Sequence, residues 1–232
     1  MADLELVVAR YDEDLKWLRR VSDSFRVTIY DKGGDWEGAI PLENVGYEAH
    51  TYLHHIVSRY DTLTDVTVFV QGSPFDHVPE LHRRLRHLAE GEEPEDAFRW
   101  LGFVVDYDDA EGRRLFRDWS KNEDGRLLDL AGFCQALWGG AVPERFVFYP
   151  GGQFIVSSEL IRRQPVDFYQ RALDLSVTFP DAGHCLERTW DRVFDVDGLP
   201  ESLRGRELPI YLRPIRRLGI TWDSIPEGER GW

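Results

Sequence analysis

Three times within the first ninety residues a short apolar run gives way to a stretch of helical periodicity, and that alternation limits the fold more than any other feature of the chain. The runs are 5–10 (ELVVAR), 26–33 (RVTIYDKG) and 65–72 (DVTVFVQG). Leu15, Leu18 and Val21 recur at helical spacing over 12–23. Ala49, Leu53, Ile56 and Val57 do so over 44–60, and Leu81, Leu85 and Leu88 over 79–90. Strand, helix and strand in succession imply parallel strands joined by crossovers. The expectation is therefore an α/β, Rossmann-like domain with a mostly parallel central sheet and helices on both faces.

Beyond residue 90 the alternation loosens. An acidic linker at 91–96 is too short to divide the chain. The segment 98–106 reads as strand or irregular, and 106–126 as charged and exposed. A helix is expected over 127–138, two strands within 146–158 hinged at Pro150-Gly151-Gly152, and helices near 165–178 and 183–194. The proline-bearing tail 196–232 reads as a C-terminal extension packed on the same domain.

Composition narrows the function classes. A chain of 232 residues buries roughly 70–75% of its unfolded surface and needs no disulfide or metal staple. Its 28 basic and 42 acidic residues give a net charge of −14, which argues against non-specific nucleic-acid binding. No apolar stretch is long enough to span a membrane. The acidic start MADLELVV does not resemble a secretory signal, and Cys134 and Cys185 lack C-x-x-C spacing. Both features point to reduced thiols in a cytoplasmic protein.

In an open parallel sheet, ligands bind beyond the carboxyl ends of the strands. Those positions hold Arg10-Tyr11-Asp12, Asp31-Lys32-Gly33 and the segment from Gln71 to His77. Asn44-Val45-Gly46 opens a helix nearby, with Glu48 and His50 in its first turns. The set is polar and locally cationic, which suits an anionic ligand bearing many hydroxyls. Glycine-rich dinucleotide and P-loop motifs and a G-x-S-x-G elbow are missing. Each residue also has a structural alternative: a surface ion pair for Arg10, a tight strand exit for Gln71 and Gly72, a turn cap for Asp76. For Tyr11, Lys32 and Asn44 it is loop packing or capping. His50 and His54 stand at metal-ligand spacing but lack a third ligand, so packing is the expectation.

The ordered blocks VVARYDEDLKWL, IYDKG, NVGYEAHTYL, FVQGSPFDH, GGQFIVSSELI and HCLERTWDRVF resemble a poorly characterised domain family of fungi and bacteria, whose members look like small GT-A-type glycosyltransferases. The resemblance implies one nucleotide-sugar-binding domain over 1–195, with a donor half at 1–90 and an acceptor half at 145–195. The implied partners are a nucleoside-diphosphate sugar and a small-molecule or glycan acceptor, and the implied reaction is sugar transfer, with an inverting outcome in view. On the donor side, Ala9, Arg10 and Tyr11 would meet base and ribose, and Asp12 or Asp14 the ribose hydroxyls. Lys32, Asn44 and Gly46 would lie near the diphosphate, with Gln71 and Gly72 against the ligand. Gly152, Gln153 and Trp190 fall on the acceptor side, Trp190 either stacking on a sugar or filling the core.

Two departures from that pattern matter. Tyr47 stands where the family commonly has arginine. Gln71-Gly72-Ser73 occupies the place of the Asp-x-Asp that would hold Mg²⁺ or Mn²⁺. A divalent cation would then fall to Asp76 and His77, or transfer would proceed without metal. Asp106-Tyr107-Asp108-Asp109 matches Asp-x-Asp in letters and reads as a solvated loop. Glu187 is the first candidate base and Asp191 the second. They are expected on one helix face, with ion pairs to Arg188 or Arg192 as the alternative. A non-catalytic nucleotide-sugar or carbohydrate-binding module is the second reading, and a metal-dependent hydrolase or nucleotidyltransferase the third.

Overall fold

The computed structural model describes residues 2–91, 97–116, 125–214 and 219–231. Its strands are β1 (Leu4–Arg10), β2 (Phe25–Asp31), β3 (Ile40–Pro41), β4 (Val66–Gln71), β5 (Phe98–Leu101), β6 (Val104–Asp109), β7 (Arg145–Phe148), β8 (Gln153–Ser157) and β9 (Ile210–Tyr211). The helices are α1 (Tyr47–Arg59), α2 (Leu81–Ala89), α3 (Leu130–Leu137), α4 (Ser158–Ile161), α5 (Val166–Thr178), α6 (Ala182–Glu187) and α7 (Trp190–Val193).

Six strands form the main sheet in the order β3-β2-β1-β4-β8-β5. The first four run parallel, as the crossovers require. β8 runs antiparallel to both β4 and β5. A smaller antiparallel sheet, β7-β6-β9, lies beyond what the sequence pattern indicates. β1 is buried along its whole length, because both of its faces are covered. Val7 and Ala9 join a large core with Leu53 of α1, Ala172 of α5 and Leu186 of α6. Leu6 and Val8 join a second core with Leu81, Leu85 and Leu88 of α2. Period-two alternation in one strand thus divides the molecule into two apolar layers.

Three local expectations change. The helical pattern at 12–23 condenses to one 3₁₀ turn, Lys16–Arg20. Glu13 accepts from the Tyr11 N–H (2.7 Å) and Asp14 from the Lys16 N–H (2.9 Å), bonds that compete with a helical ladder. The stretch that reads as exposed at 106–126 contains strand β6 with Asp106 and Asp108 buried, while 117–124 lie outside the described residues. The pattern at 183–194 is two helices, broken where Thr189 Oγ1 bonds back to the Cys185 carbonyl (2.8 Å). The C-terminal segment packs Leu203 and Ile210 into the large core and pairs β9 with β6.

Candidate functional site

The chain leaves β1 toward β2 on one side and returns to β4 on the other. The crevice beyond the carboxyl ends of β1 and β4 is therefore the switch point of the sheet. Gly72 lies at its floor, where a Cβ would stand 2.5 Å from Glu13 Oε2, so only glycine admits that carboxylate. α1 starts above this edge through two left-handed residues, Gly46 (φ 60°) and Tyr47 (φ 53°). For tyrosine that conformation costs about 1–3 kcal/mol. Lys32 Nζ offsets it by donating to the carbonyls of Val45 (2.5 Å) and Tyr47, and the Tyr47 ring packs against Gly183 and His184. The bend carries Glu48 over the crevice and leaves Tyr47 63% exposed at its rim.

The opposite wall is the Pro150-Gly151-Gly152 turn that joins the small sheet to the main one. Gly151 (φ 102°) has no room for a side chain, since a Cβ would lie 2.4 Å from the His77 ring. At Gly152 (φ 58°) a Cβ would stand 3.4 Å from Glu48 Oε1, 3.6 Å from Trp190 Nε1 and 3.7 Å from Glu187 Cγ. That point is where the two carboxylate side chains meet.

Their environments differ. Burial, reinforced by the Glu187 charge, pushes Glu48 up to about 7, although the Gln71 side chain and His184 pull the other way. Burial would raise Glu187 too, but the His184 ring, the Arg188 charge and the Gly151 N–H outweigh it and hold Glu187 at about 2. The Gly151 N–H reaches Glu187 Oε1 at 2.6 Å and Arg188 reaches Oε2 at 3.0 Å. Arg188 is itself buried and bridges to Asp108 at 3.0 Å, while Asp108 also accepts N–H groups from Arg114, Leu115 and Phe116. A charged chain thus runs from β6 through Arg188 to the site. Three buried polar atoms, Trp190 Nε1, Tyr52 Oη and His77 Nδ1, have no hydrogen-bond partner among the described residues. Groups of this kind signal a ligand or water to be bound. One neutral and one ionised carboxyl side by side can give and take protons near pH 7.

Of the residues singled out from sequence, Gln71, Gly72, His77, Gly152 and Glu187 surround this crevice. Several others do not act as expected. Arg10 is 5% exposed and its guanidinium is committed to Asp31 (2.7 Å), Asp35 (2.5 Å) and the Glu13 carbonyl (2.9 Å), so it is a structural ion pair rather than a phosphate fork. Lys32 is a loop clamp. Ala9 points into the core, and Asn44 and Asp12 are exposed. Tyr11 is half-exposed and Asp14 pairs with Lys16. Gln153 is fully buried, donating to the Pro74 carbonyl (3.3 Å) and accepting from the Gln71 N–H (3.4 Å); it fastens the turn to β4 rather than facing an acceptor. Trp190 is fully buried among Tyr52, Phe154 and Phe194, so it fills the core and presents no stacking face.

Asp191 does not share a face with Glu187, because the helix breaks between them. It accepts N–H bonds from Arg192 (2.8 Å) and Gly198 (3.3 Å) and borders a separate groove. His50 and His55 are packed, and burial lowers them to about 4 and about 3. The strand end carries no paired carboxylates. Among the described residues no three His, Cys, Asp or Glu side chains are placed to hold a metal ion. Asp76 and His77 belong to no such group. Glu48, His184, Arg188 and Asp108 enter the site without having been marked as site residues. The sequence signalled Glu48 by its place in the first turn of the helix that follows Gly46, and Arg188 as an ion-pair partner of Glu187.

Fold and site together define an α/β protein with a mostly parallel six-stranded sheet and a paired-carboxylate crevice at its switch point. Residues 6–89, from β1 to the end of α2, match a family described as a protein of unknown function, DUF3431. The matched segment carries Glu48 and Gln71 but not Glu187. No curated protein and no solved structure matches the chain. Among the described residues no helix is long and apolar enough to cross a membrane.

Proposed function

We propose that the protein transfers a glycosyl group from a nucleoside-diphosphate sugar to an acceptor hydroxyl, with Glu48 as the general base. The observation that carries this reading is the pairing of Glu48, held near 7, with ionised Glu187 at one crevice. A base works best when its pKa lies near the working pH, which favours Glu48 over Glu187 for taking the acceptor proton. As that proton leaves, the acceptor oxygen bonds to the anomeric carbon and the diphosphate departs with the former bonding pair. Glu187, fixed by Arg188 and the Gly151 N–H, keeps Glu48 basic and faces the positive charge that develops on the sugar ring. Tyr47 at the rim supplies a flat surface for the base or sugar.

Calorimetric titration of the whole chain with UDP-, GDP- and dTDP-sugars tests this. At least one donor binds, and product formation falls by about 100-fold or more in Glu48→Gln. Rate rises with pH through about 7 as Glu48 ionises. A folded protein that binds none of the donors sinks the proposal.

The commitment of Arg10 and Lys32 to internal partners favours a second reading, a carbohydrate-binding module without turnover. Donor binding without product would select it.

A further inference from the structure

A cavity of about 670 Å³ opens beside the small sheet, between the end of α3, the start of α5 and the segment after α7. Small-molecule sites usually occupy about 300–1,000 Å³. Trp138 and Phe168 give it an apolar wall, and Arg171 braces that wall by donating from Nε to the Leu137 carbonyl (3.0 Å). Its polar lining comes from Gln164, from Asp191 and Arg192 of α7, and from Asp195 in the following turn. The left-handed backbone of Asp195 (φ 55°) turns the chain so that Val196 and Leu199 also line the cavity.

Asp191 is a buried titratable group that the crevice chemistry leaves unused. It is 5% exposed, and its two oxygens accept the Arg192 N–H (2.8 Å) and the Gly198 N–H (3.3 Å). A carboxylate has about four acceptor sites, so these bonds orient the group and leave it capacity for a ligand. Burial raises Asp191 to about 6 against the pull of the Gly198 N–H and of Arg192, so it is an ionised acceptor at neutral pH. The Arg192 guanidinium lies over the Phe146 ring (5.7 Å), and neither it nor the Gln164 amide makes a hydrogen bond among the described residues. Signs of charge are matched in the lining. Asp191 and Asp195 stand with Arg192 and with Arg145 of the edge strand β7, while Asp197 pairs with Arg204 (3.1 Å). A strongly charged ligand gains little from such a balance. Hydroxyl groups, each able to donate and to accept, can meet carboxylate, guanidinium and amide alike.

We propose that this cavity binds a sugar ring or a comparable polyol, its hydroxyls meeting Asp191, Arg192 and Gln164 and its less polar face lying against Trp138. The site is separate from the Glu48–Glu187 crevice and stands whether or not that crevice transfers sugars. Saturation-transfer NMR and calorimetry on the full chain with maltose, cellobiose and lactose test it, with phenylalanine and benzylamine as charged controls. At least one disaccharide binds, and Trp138→Ala and Gln164→Ala each weaken it about fivefold or more, whereas Glu48→Gln does not. Trp138 and Gln164 are only half-buried, so both variants are expected to keep the far-UV circular dichroism of the wild type. A folded wild type that binds none of the three disaccharides overturns the site. Binding that both folded variants retain does the same, as does binding that Glu48→Gln abolishes, since the sugar is then held in the crevice. Phenylalanine or benzylamine binding more tightly than every disaccharide overturns the assignment to a polyol.

Discussion

A glutamate in the first turn of a helix is ordinarily a solvated ion that favours the helix dipole. Glu48 departs from that role because α1 begins directly over the sheet edge and Glu187 stands across the crevice. Its ordinary pKa is about 4.3, whereas the folded chain holds it near 7. The folded protein therefore keeps a proton that the unfolded chain gives up. The stability this contributes is complete below about pH 4.3 and drains away as pH rises through about 7. Glu48→Gln lacks that dependence, so urea unfolding shows the variant gaining on wild type between pH 5 and pH 8. A difference that stays flat would refute the raised pKa. Glu187 has the opposite sign: held at about 2, it contributes stability above about pH 4.3 that is lost as pH falls toward 2. The letters around residue 187 show His184 and Arg188, which help to hold it low, but the burial of both carboxyls, the Gly151 N–H and the approach of Glu48 to Glu187 come from segments more than thirty residues apart.

At the scale of elements, turns and breaks position the chemistry. The Gly151-Gly152 turn delivers an N–H to Glu187 and a backbone surface to the crevice. Gly151→Ala drives a Cβ into the His77 ring at a left-handed φ, and a loss of about 2–4 kcal/mol is expected in urea unfolding. A neutral result would show that the turn yields freely. The Asp108–Arg188 pair is buried at both ends, and removing one partner leaves a charge without compensation. Asp108→Ala is expected to cost about 3–5 kcal/mol by the same assay, and to weaken any donor binding by loosening Glu187. β1, β2, β4 and β8, with α1, α2 and α5, were legible because apolar periodicity reports burial directly. The 3₁₀ turn at Lys16–Arg20 and the helix break at Thr189 were not. Both are set by single side-chain bonds to the backbone, which leave the apolar spacing unchanged.

For the molecule as a whole, two sheets share one core, and the C-terminal segment closes it. Gly198 lies against the Trp100 indole, where even a Cβ would come within 2.4 Å, and its N–H reaches Asp191. Truncation after residue 197 uncovers Phe98 and Trp100, and the shortened chain is expected to bind a hydrophobic dye and elute as larger species on size exclusion. A monomeric, dye-negative product would show that the segment is dispensable. The net charge acquires a clearer meaning at this scale. Arg10 and Lys32, the cations expected to serve a diphosphate, are tied to their own loops.

The sequence by itself determined the parallel half of the sheet, its two apolar layers and the edge where polar groups gather. Those follow from short-range alternation and from crossovers that admit only one arrangement. Only the tertiary structure decided which polar groups are free to act. Whether a carboxylate is neutral, a guanidinium committed or an indole buried is fixed by desolvation and by partners brought from distant segments, and those interactions exist only once the chain has closed.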